Sequence, residues 1–375
     1  MELRAFALTL HYYSPSANNF VREEFNKLLP HPDTIREWYM VVEGAPGFTK
    51  ESFVAIKSKV EEEGIVILNL TVDEMSIRQM VQYVQGVYYG YVDLGMETKR
   101  ESEDEKDEAR NALVFMGVSL KSHWKIPLGY FLINSLSASE RSRLLKKCLE
   151  LIKETGAMCR SLTFDGAAVN MSMVKELGAL YDYPNNFQPW FFDPNAGVKV
   201  HTFLDACHLI KLIRNAFGDR KVFYDSNGNA IEWAYIEKLQ QLETREGLRC
   251  GTKLTPRHTN FQNEKMKVSY AVQTLSASVC SALKFCKQLE IQGFENCEAT
   301  ANFCLIFNNM FDILNSKHLL SKTELNRGLS SNNFDNVLEI IQFSIDYVSK
   351  LKDNFGKLII ESKRKTGFLR FIISM

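Results

Sequence analysis

Residues 65–72, reading Ile65-Val66-Ile67-Leu68-Asn69-Leu70-Thr71-Val72, make a nearly unbroken apolar and β-branched run that starts at Gly64. A run of this length is a buried strand, since both of its faces must be covered by other elements. Its end is read at Asp73-Glu74. The first sixty residues instead read as helices: 19–29 is amphipathic, Pro32 and Asp33 open a second helix to Trp38, and Thr49-Lys50-Glu51 opens a third after a break at Gly47. Three short helices separated by turn residues fit a helix-turn-helix, with one helix in a DNA major groove. They fit a small helical packing unit equally well.

Downstream the strands recur. Residues 86–94 and 112–120 read as strands on either side of the charge-rich stretch 97–110, which reads as a solvated loop. Ser137 caps a helix to Glu154 whose apolar face holds Leu144, Leu145, Cys148, Leu149 and Ile152, and Gly156 stops it. A strand over 159–164 ends at Asp165-Gly166, a helix with Met171, Val174 and Leu177 runs to Gly178, a strand over 198–204 runs into Asp205, and a helix covers 206–217. The order strand, strand, strand, helix, strand, helix, strand, helix, with carboxylates closing the first and fourth strands, is that of an RNase H-like fold. Beyond residue 217 the strand signals thin out, and 231–242, 265–289, 297–314 and 334–351 read as long helices of a second, mostly helical domain.

Charge narrows the function classes. Lysine plus arginine equals aspartate plus glutamate at 45 each, so no global basic field draws phosphates and any DNA contact has to come from local patches. The basic cluster Lys363-Arg364-Lys365 reads as a solvated patch ahead of a nuclear signal. The eight cysteines form no Cys-x-x-Cys pair and read as reduced, buried thiols of an intracellular protein. No apolar run approaches the ~18 residues of a membrane span, and residues 1–13 lack the features of a signal peptide, so the expectation is a soluble, internal protein without membrane contact.

Asp73 and Asp165 carry the candidate chemistry. Ends of adjacent strands in one sheet would bring them together, and side-by-side carboxylates repel unless a cation lies between them. Magnesium prefers such oxygens, and paired divalent ions can activate an attacking hydroxyl and steady the leaving oxygen of a phosphodiester. The other reading makes each aspartate a turn or cap residue. Glu74 points to the opposite face of a continuing strand and is the lesser candidate.

Segments 7–15 (ALTLHYYSP), 29–38 (LPHPDTIREW), 73–78 (DEMSIR), 205–215 (DACHLIKLIRN), 265–268 (KMKV), 271–278 (AVQTLSAS) and 362–368 (SKRKTGF) follow one another in the order seen in a known family. On these residues the chain resembles the P element transposase family and its THAP-containing relatives over nearly its whole length. The resemblance implies an RNase H-like catalytic domain split by a helical insertion that binds GTP. The expected fold class is α/β plus α: a mixed sheet with flanking helices, a helical insertion, and a helix-turn-helix-like segment in front. The expected domains are residues 1–62 for that segment, 63–216 for the incomplete catalytic domain, 217–352 for the insertion, and 353–375 for the truncated return to the catalytic domain.

By position the resemblance makes Asp73 and Asp165 the metal-binding catalytic aspartates, with Mg²⁺ as cofactor. It points to Asp205, Lys211, Asn260 and Asn263 for GTP, where lysine would neutralise phosphate and Asn or Asp would read guanine or hold magnesium. The other reading has Asp205 capping its helix, with Lys211 and Arg214 on a solvated face. An ordinary P-loop is excluded, since no Gly-x-x-x-x-Gly-Lys-Ser/Thr occurs. The family also implies DNA at transposon ends and further copies of the chain as partners, and a nuclear location. The match departs from the family in two places. The zinc module needs paired cysteines near the N-terminus, whereas the first cysteine is Cys148. The third catalytic acid is a glutamate beyond the 362–368 motif, and Asp346, Asp353 and Glu361 precede that motif and read as helix surface. The expectation is therefore a transposase chain that does not cut DNA alone. The alternative is a non-catalytic nucleotide-binding or protein-interaction module on the same fold, and a stand-alone nuclease would need a third carboxylate among these residues.

Overall fold

The computed structural model describes residues 2–40, 44–84, 86–95, 107–247, 251–316, 320–362 and 366–375. The chain divides into two compact units, Met1–Leu136 with Leu144–Cys159, and Ser137–Arg143 with Arg160–Met375. The basic cluster at 363–365 and most of the charged stretch 97–110 lie outside the described residues.

The first unit opens with helices α1 (Glu2–Tyr13), α2 (Pro15–Glu24) and α3 (Pro32–Tyr39), followed by β1 (Gly47–Phe48) and α4 (Lys50–Glu63). Ala7, Leu29 and Ile35 make the small core of α1 to α3, with Leu8, Leu10, Val21 and Trp38 packed on it. The amphipathic helix expected over 19–29 ends earlier, at Glu24, because Asn26 and Lys27 take positive φ of 50° and 61° and turn the chain. Ser14 accepts the Ala17 N–H and Pro15 fills the first helical position, which starts α2 cleanly.

Then come β2 (Ile67–Ser76), the hairpin β3 (Gln82–Val84) and β4 (Val87–Tyr89), β5 (Asn111–Ser119), β6 (Lys125–Ile133), α5 (Ala138–Glu154) and β7 (Met158–Phe164). Strands β1, β6, β5 and β2 pair antiparallel in that order. β7 enters beside β2, where the Met158 N–H donates to the Val66 carbonyl at 3.0 Å. Leu68, Leu70 and Val72 fill one face of β2, while Phe48, Phe53, Phe115 and Phe131 meet edge to face beneath the neighbouring strands. The expected strand over 86–94 is the return arm of the β3–β4 hairpin and stops at Tyr89. β6 escaped sequence reading because Pro127 and Gly129 argue against a central strand. The register slips between Phe115 and Met116 in the facing strand, which accommodates the proline.

The second unit continues from β7 through α6 (Ala168–Glu176), the short strands β8 (Leu180–Asp182), β9 (Asn186–Gln188) and β10 (Trp190–Phe192), then β11 (Lys199–Leu204) and α7 (Ala206–Arg220). β11 pairs parallel with β7 and antiparallel with β10. The hairpin β12 (Val222–Tyr224) and β13 (Ala230–Glu232) leads to α8 (Trp233–Glu246), α9 (Pro256–Thr259), α10 (Val268–Thr274), α11 (Ala277–Gln288), α12 (Glu298–Leu314), α13 (Phe334–Lys350) and α14 (Thr366–Ser374). The helix expected over 265–289 is two helices, because Ser276 caps a new start by accepting the Val279 N–H. An aromatic core of Phe217, Phe223, Trp233, Phe303, Phe307, Phe368 and Phe371 ties α7, α12 and α14 together. Cys148, Cys159, Cys280, Cys286, Cys297 and Cys304 are buried. Burial pushes the Cys148 and Cys304 thiols well above their ordinary range, so they behave as small apolar groups.

Gly129 is where β1 crosses closest to β6: a Cβ there would stand 2.8 Å from Phe48 Cα, backbone that cannot step aside. Gly129→Ala should cost about 2 to 3 kcal/mol in urea unfolding, the overpacking range. Gly117→Ala, whose Cβ would meet Leu128 side-chain atoms at an ordinary 3.6 Å, should stay close to wild type. Equal stabilities would refute this account of the β1–β6 contact.

Candidate functional site at the carboxyl ends of two parallel strands

In the first unit, Asp73 does not end its strand: β2 continues to Ser76, and Asp73 is exposed on the face it shares with Asn69 and Thr71. Asp73 Oδ1 accepts the N–H of Glu74 at 2.9 Å. Glu74 faces the other way and accepts the Asn111 side-chain amide at 3.0 Å, so strand alternation separates the two acids as expected.

In the second unit, the parallel pairing of β7 and β11 runs from His201 opposite Ser161 to Leu204 opposite Phe164. The next residue of each strand is an aspartate. Asp165 and Asp205 therefore leave the sheet at the same level, and the Asp205 N–H donates to the Phe164 carbonyl at 3.0 Å. The carboxyl edge of parallel strands is where α/β sheets bind ligands.

The two carboxylates are held differently. Asp165 Oδ1 accepts the Ala167 N–H at 3.1 Å and the Asn170 amide at 2.6 Å. Buried Arg141 donates in turn to Asn170 Oδ1 at 2.9 Å, so a buried side-chain relay fixes Asp165. Its Oδ2 has no hydrogen-bond partner among the described residues. Asp205 spends both oxygens on capping α7, accepting the Cys207 and His208 N–H groups at 3.0 and 3.1 Å.

Cationic side chains surround this edge. Burial and then the charge of Lys211 push the half-buried His208 imidazole below its ordinary pKa, with Asp165 and Asp205 opposing and Arg370 adding to the fall. Burial also lowers the pKa of Arg370, against the pull of Asp165. Sequence reading missed Arg370, Arg141 and Asn170, since no local pattern links residues 141, 170 and 370; only the return of α14 and the packing of α5 on α6 do so.

Lys211 lies on one stripe of α7 with Arg214, Asn215, Gly218 and Asp219, at helical spacing. The segment that includes Asn260 and Asn263 docks on that stripe. Arg214 Nη2 donates to the Glu264 carbonyl at 3.0 Å, the Asn215 amide to the Lys265 carbonyl at 3.3 Å, and the Gln262 amide to Asp219 at 3.2 Å. A Cβ on Gly218 would collide with the Phe261 ring, so the glycine is what lets the segment seat. Asn260 and Asn263 themselves are exposed. Lys211 is half-buried and has no hydrogen-bond or ion-pair partner among the described residues. The reading of Arg214 as part of a solvated face is overturned: it is fully buried, burial lowers its pKa to about 10, and Nη1 has no partner among the described residues.

The acids before the 362–368 motif are committed elsewhere. Asp346 pairs with Lys350 at 2.7 Å. Asp353 is a turn residue, not helix surface: it accepts the Phe355 and Lys357 N–H groups and pairs with Arg220 at 3.2 Å. Among the described residues, no three His, Cys, Asp or Glu side chains converge closely enough to hold a metal ion.

Three family models match the chain in order: a P transposase-like helix-turn-helix domain over residues 1–38, a TNP-like RNase H N-terminal domain over 44–178, and a TNP-like GTP-binding insertion domain over 207–328. The human DNA transposase THAP9 is 29% identical, across 100% of this chain and 41% of the relative. The Transposable element P transposase of Drosophila melanogaster is 25% identical, across 83% of this chain and 38% of the relative. The chain thus spans about two fifths of the length of these relatives. A solved structure, the Drosophila P element transposase strand transfer complex, superposes with a TM-score of 0.77 at 22% identity, over 99% of this chain and 77% of that one, which shows a common fold. With its RNase H-like mixed sheet, helical insertion and N-terminal helical segment, the chain belongs to the P element and THAP9-like transposase family.

Proposed function

We propose that this chain binds GTP and DNA in the manner of a P element-type transposase, with the DNA phosphodiester at the carboxyl edge of β7 and β11 and GTP along the Lys211 stripe of α7. The observation that carries this reading is the pairing of an open Asp165 carboxylate oxygen with an unpartnered, half-buried Lys211 on the helix that leaves the same edge. Asp73 and Asp165 offer hard carboxylate oxygens, the donors magnesium prefers, and the free Oδ2 of Asp165 fits such an ion. When bound, the ion would lower the charge cost of nucleophilic attack at phosphorus. Asn170 and Arg141 hold Asp165 in place, Asp205 starts α7, and Lys211 draws phosphate. Asn260 and Asn263 lie on the segment docked to that stripe and are the proposed guanine contacts. As a transposase the chain would act on chromosomal DNA in the nucleus and assemble with copies of itself; a tagged chain excluded from nuclei would count against that location.

Calorimetry with GTP and Mg²⁺ tests the nucleotide reading. Saturable binding that favours GTP over ATP is expected, and Lys211→Ala should weaken it at least about tenfold, the loss of one charge-assisted phosphate contact. A folded wild-type chain that ignores GTP would overturn it.

The metal reading predicts that Mg²⁺ tightens binding of a DNA duplex to wild type, and that Asp165→Asn abolishes this gain while leaving metal-free binding unchanged or stronger, since a like charge is removed. The same Mg²⁺ effect in both proteins would refute it. Since no three-acid group occurs among the described residues, the chain alone is expected to leave supercoiled plasmid intact. Nicking that Asp165→Asn abolishes would show a third group at work.

A further inference from the structure

α14 is fixed at both ends against the strand edge. Near its start, Gly367 packs so closely on α7 that a Cβ would stand 3.0 Å from Leu212 Cβ and Ile213 Cδ1. Near its end, the Ser374 hydroxyl accepts the Leu204 N–H at 3.0 Å, just before Asp205. Phe368 and Phe371 bury the opposite side against Phe223 and Phe307. Between these anchors, Arg370 lays its guanidinium over Gly166, the residue after Asp165, where a Cβ would come within 2.6 Å of its Cζ.

Arg370 is half-buried, yet it makes no hydrogen bond or ion pair with any described residue, and neither does Lys211. A guanidinium carries five donors in a rigid fork that suits two oxygens of one phosphate. Partial burial has removed part of its water, and the nearby Asp165 spends Oδ1 on Asn170 and Ala167. His208 feels the charges of both aspartates, of Arg370 and of Lys211, which lies one helical turn along α7 from it. Two cations without protein partners around one edge therefore await an oxyanion.

We propose that Arg370 and Lys211, with His208 beside them, form a phosphate-binding subsite next to Asp165, in which Gly166 gives the Arg370 fork room to lie flat. The subsite rests on the reading of this edge as the place where phosphate is handled. Two sources supply the same chemistry, the phosphate chain of a nucleotide and a DNA phosphodiester, and the measurement separates them.

Binding of pyrophosphate, GTP and a DNA duplex would be measured for the full chain, Arg370→Gln and Gly166→Ala, with folding of each checked by circular dichroism and thermal melting. Arg370→Gln removes the charge. Gly166→Ala keeps it but displaces the fork, so it tests position if the first variant misfolds. Both should weaken pyrophosphate binding about tenfold, and Arg370→Lys should restore part of the loss. A matching loss for GTP alone assigns the subsite to the nucleotide, and for DNA alone to the phosphodiester. Folded variants that bind all three like wild type overturn the subsite, and the functional reading survives if Lys211→Ala still loses GTP. A wild type that binds none of the three overturns both.

Discussion

The candidate site depends on the parallel pairing of β7 and β11. Four registered residue pairs end at Phe164 and Leu204, and each strand hands over at once to an aspartate that turns the backbone into a helix. Parallel neighbours need a crossover connection, and here α6 and the short strands β8 to β10 supply it. The consequence is electrostatic: two carboxylates leave the sheet at one level, and that edge is tolerable only with compensating positive charge. Arg370 on α14 supplies it to Asp165, and Lys211 adds a positive charge on α7 beside the half-buried His208.

The helical part of the second unit is what delivers that compensation. α7 starts at the strand edge and runs into the aromatic core, where Phe217 meets Trp233 and Phe303. α14 returns from that core to the same edge, carrying Arg370. Arg214 shows how strongly the packing is enforced. A fully buried guanidinium with one unpartnered nitrogen is costly, and it is retained where it ties α7 to the Glu264 carbonyl and lies 5.1 Å from the Phe261 ring centroid.

Much of this was legible from the sequence, for physical reasons that differ by element. β2, β5, β7 and β11 announce themselves because buried strands need apolar, β-branched runs. α5 and α7 announce themselves through periodicity and caps, and Asp165 and Asp205 were found because a carboxylate after such a strand is chemically conspicuous. β6 was hidden by Pro127 and Gly129, tolerated only because β5 slips its register and β1 comes close. The break between α10 and α11 hangs on the hydroxyl of Ser276. Arg214 was misread because its place in the helical stripe resembles that of a solvated residue, and only the docking of residues 261–265 buries it. Arg370 could not be found at all, since its meaning lies in a contact with Gly166 across most of the unit's sequence.

Helix capping leaves side chains, rather than the backbone N–H groups of α7, to meet an anion at this edge. Helix N-termini commonly bind phosphate through free N–H groups and the helix dipole. At α7 those groups are already taken: the Cys207 and His208 N–H groups donate to Asp205, whose negative charge also occupies the place an anion would seek. An incoming phosphate thus meets the capped start of α7 and two carboxylates at the strand edge, which repel it. In the proposed subsite the attraction comes from cations set back from the α7 cap, one turn along α7 at Lys211 and on α14 at Arg370. Both helices are locked by aromatic packing in the helical part of the unit. How Lys211 and Arg370 are presented at the edge is therefore set by how well that part is folded, which links the helical part of the unit to the β7–β11 strand edge by packing alone.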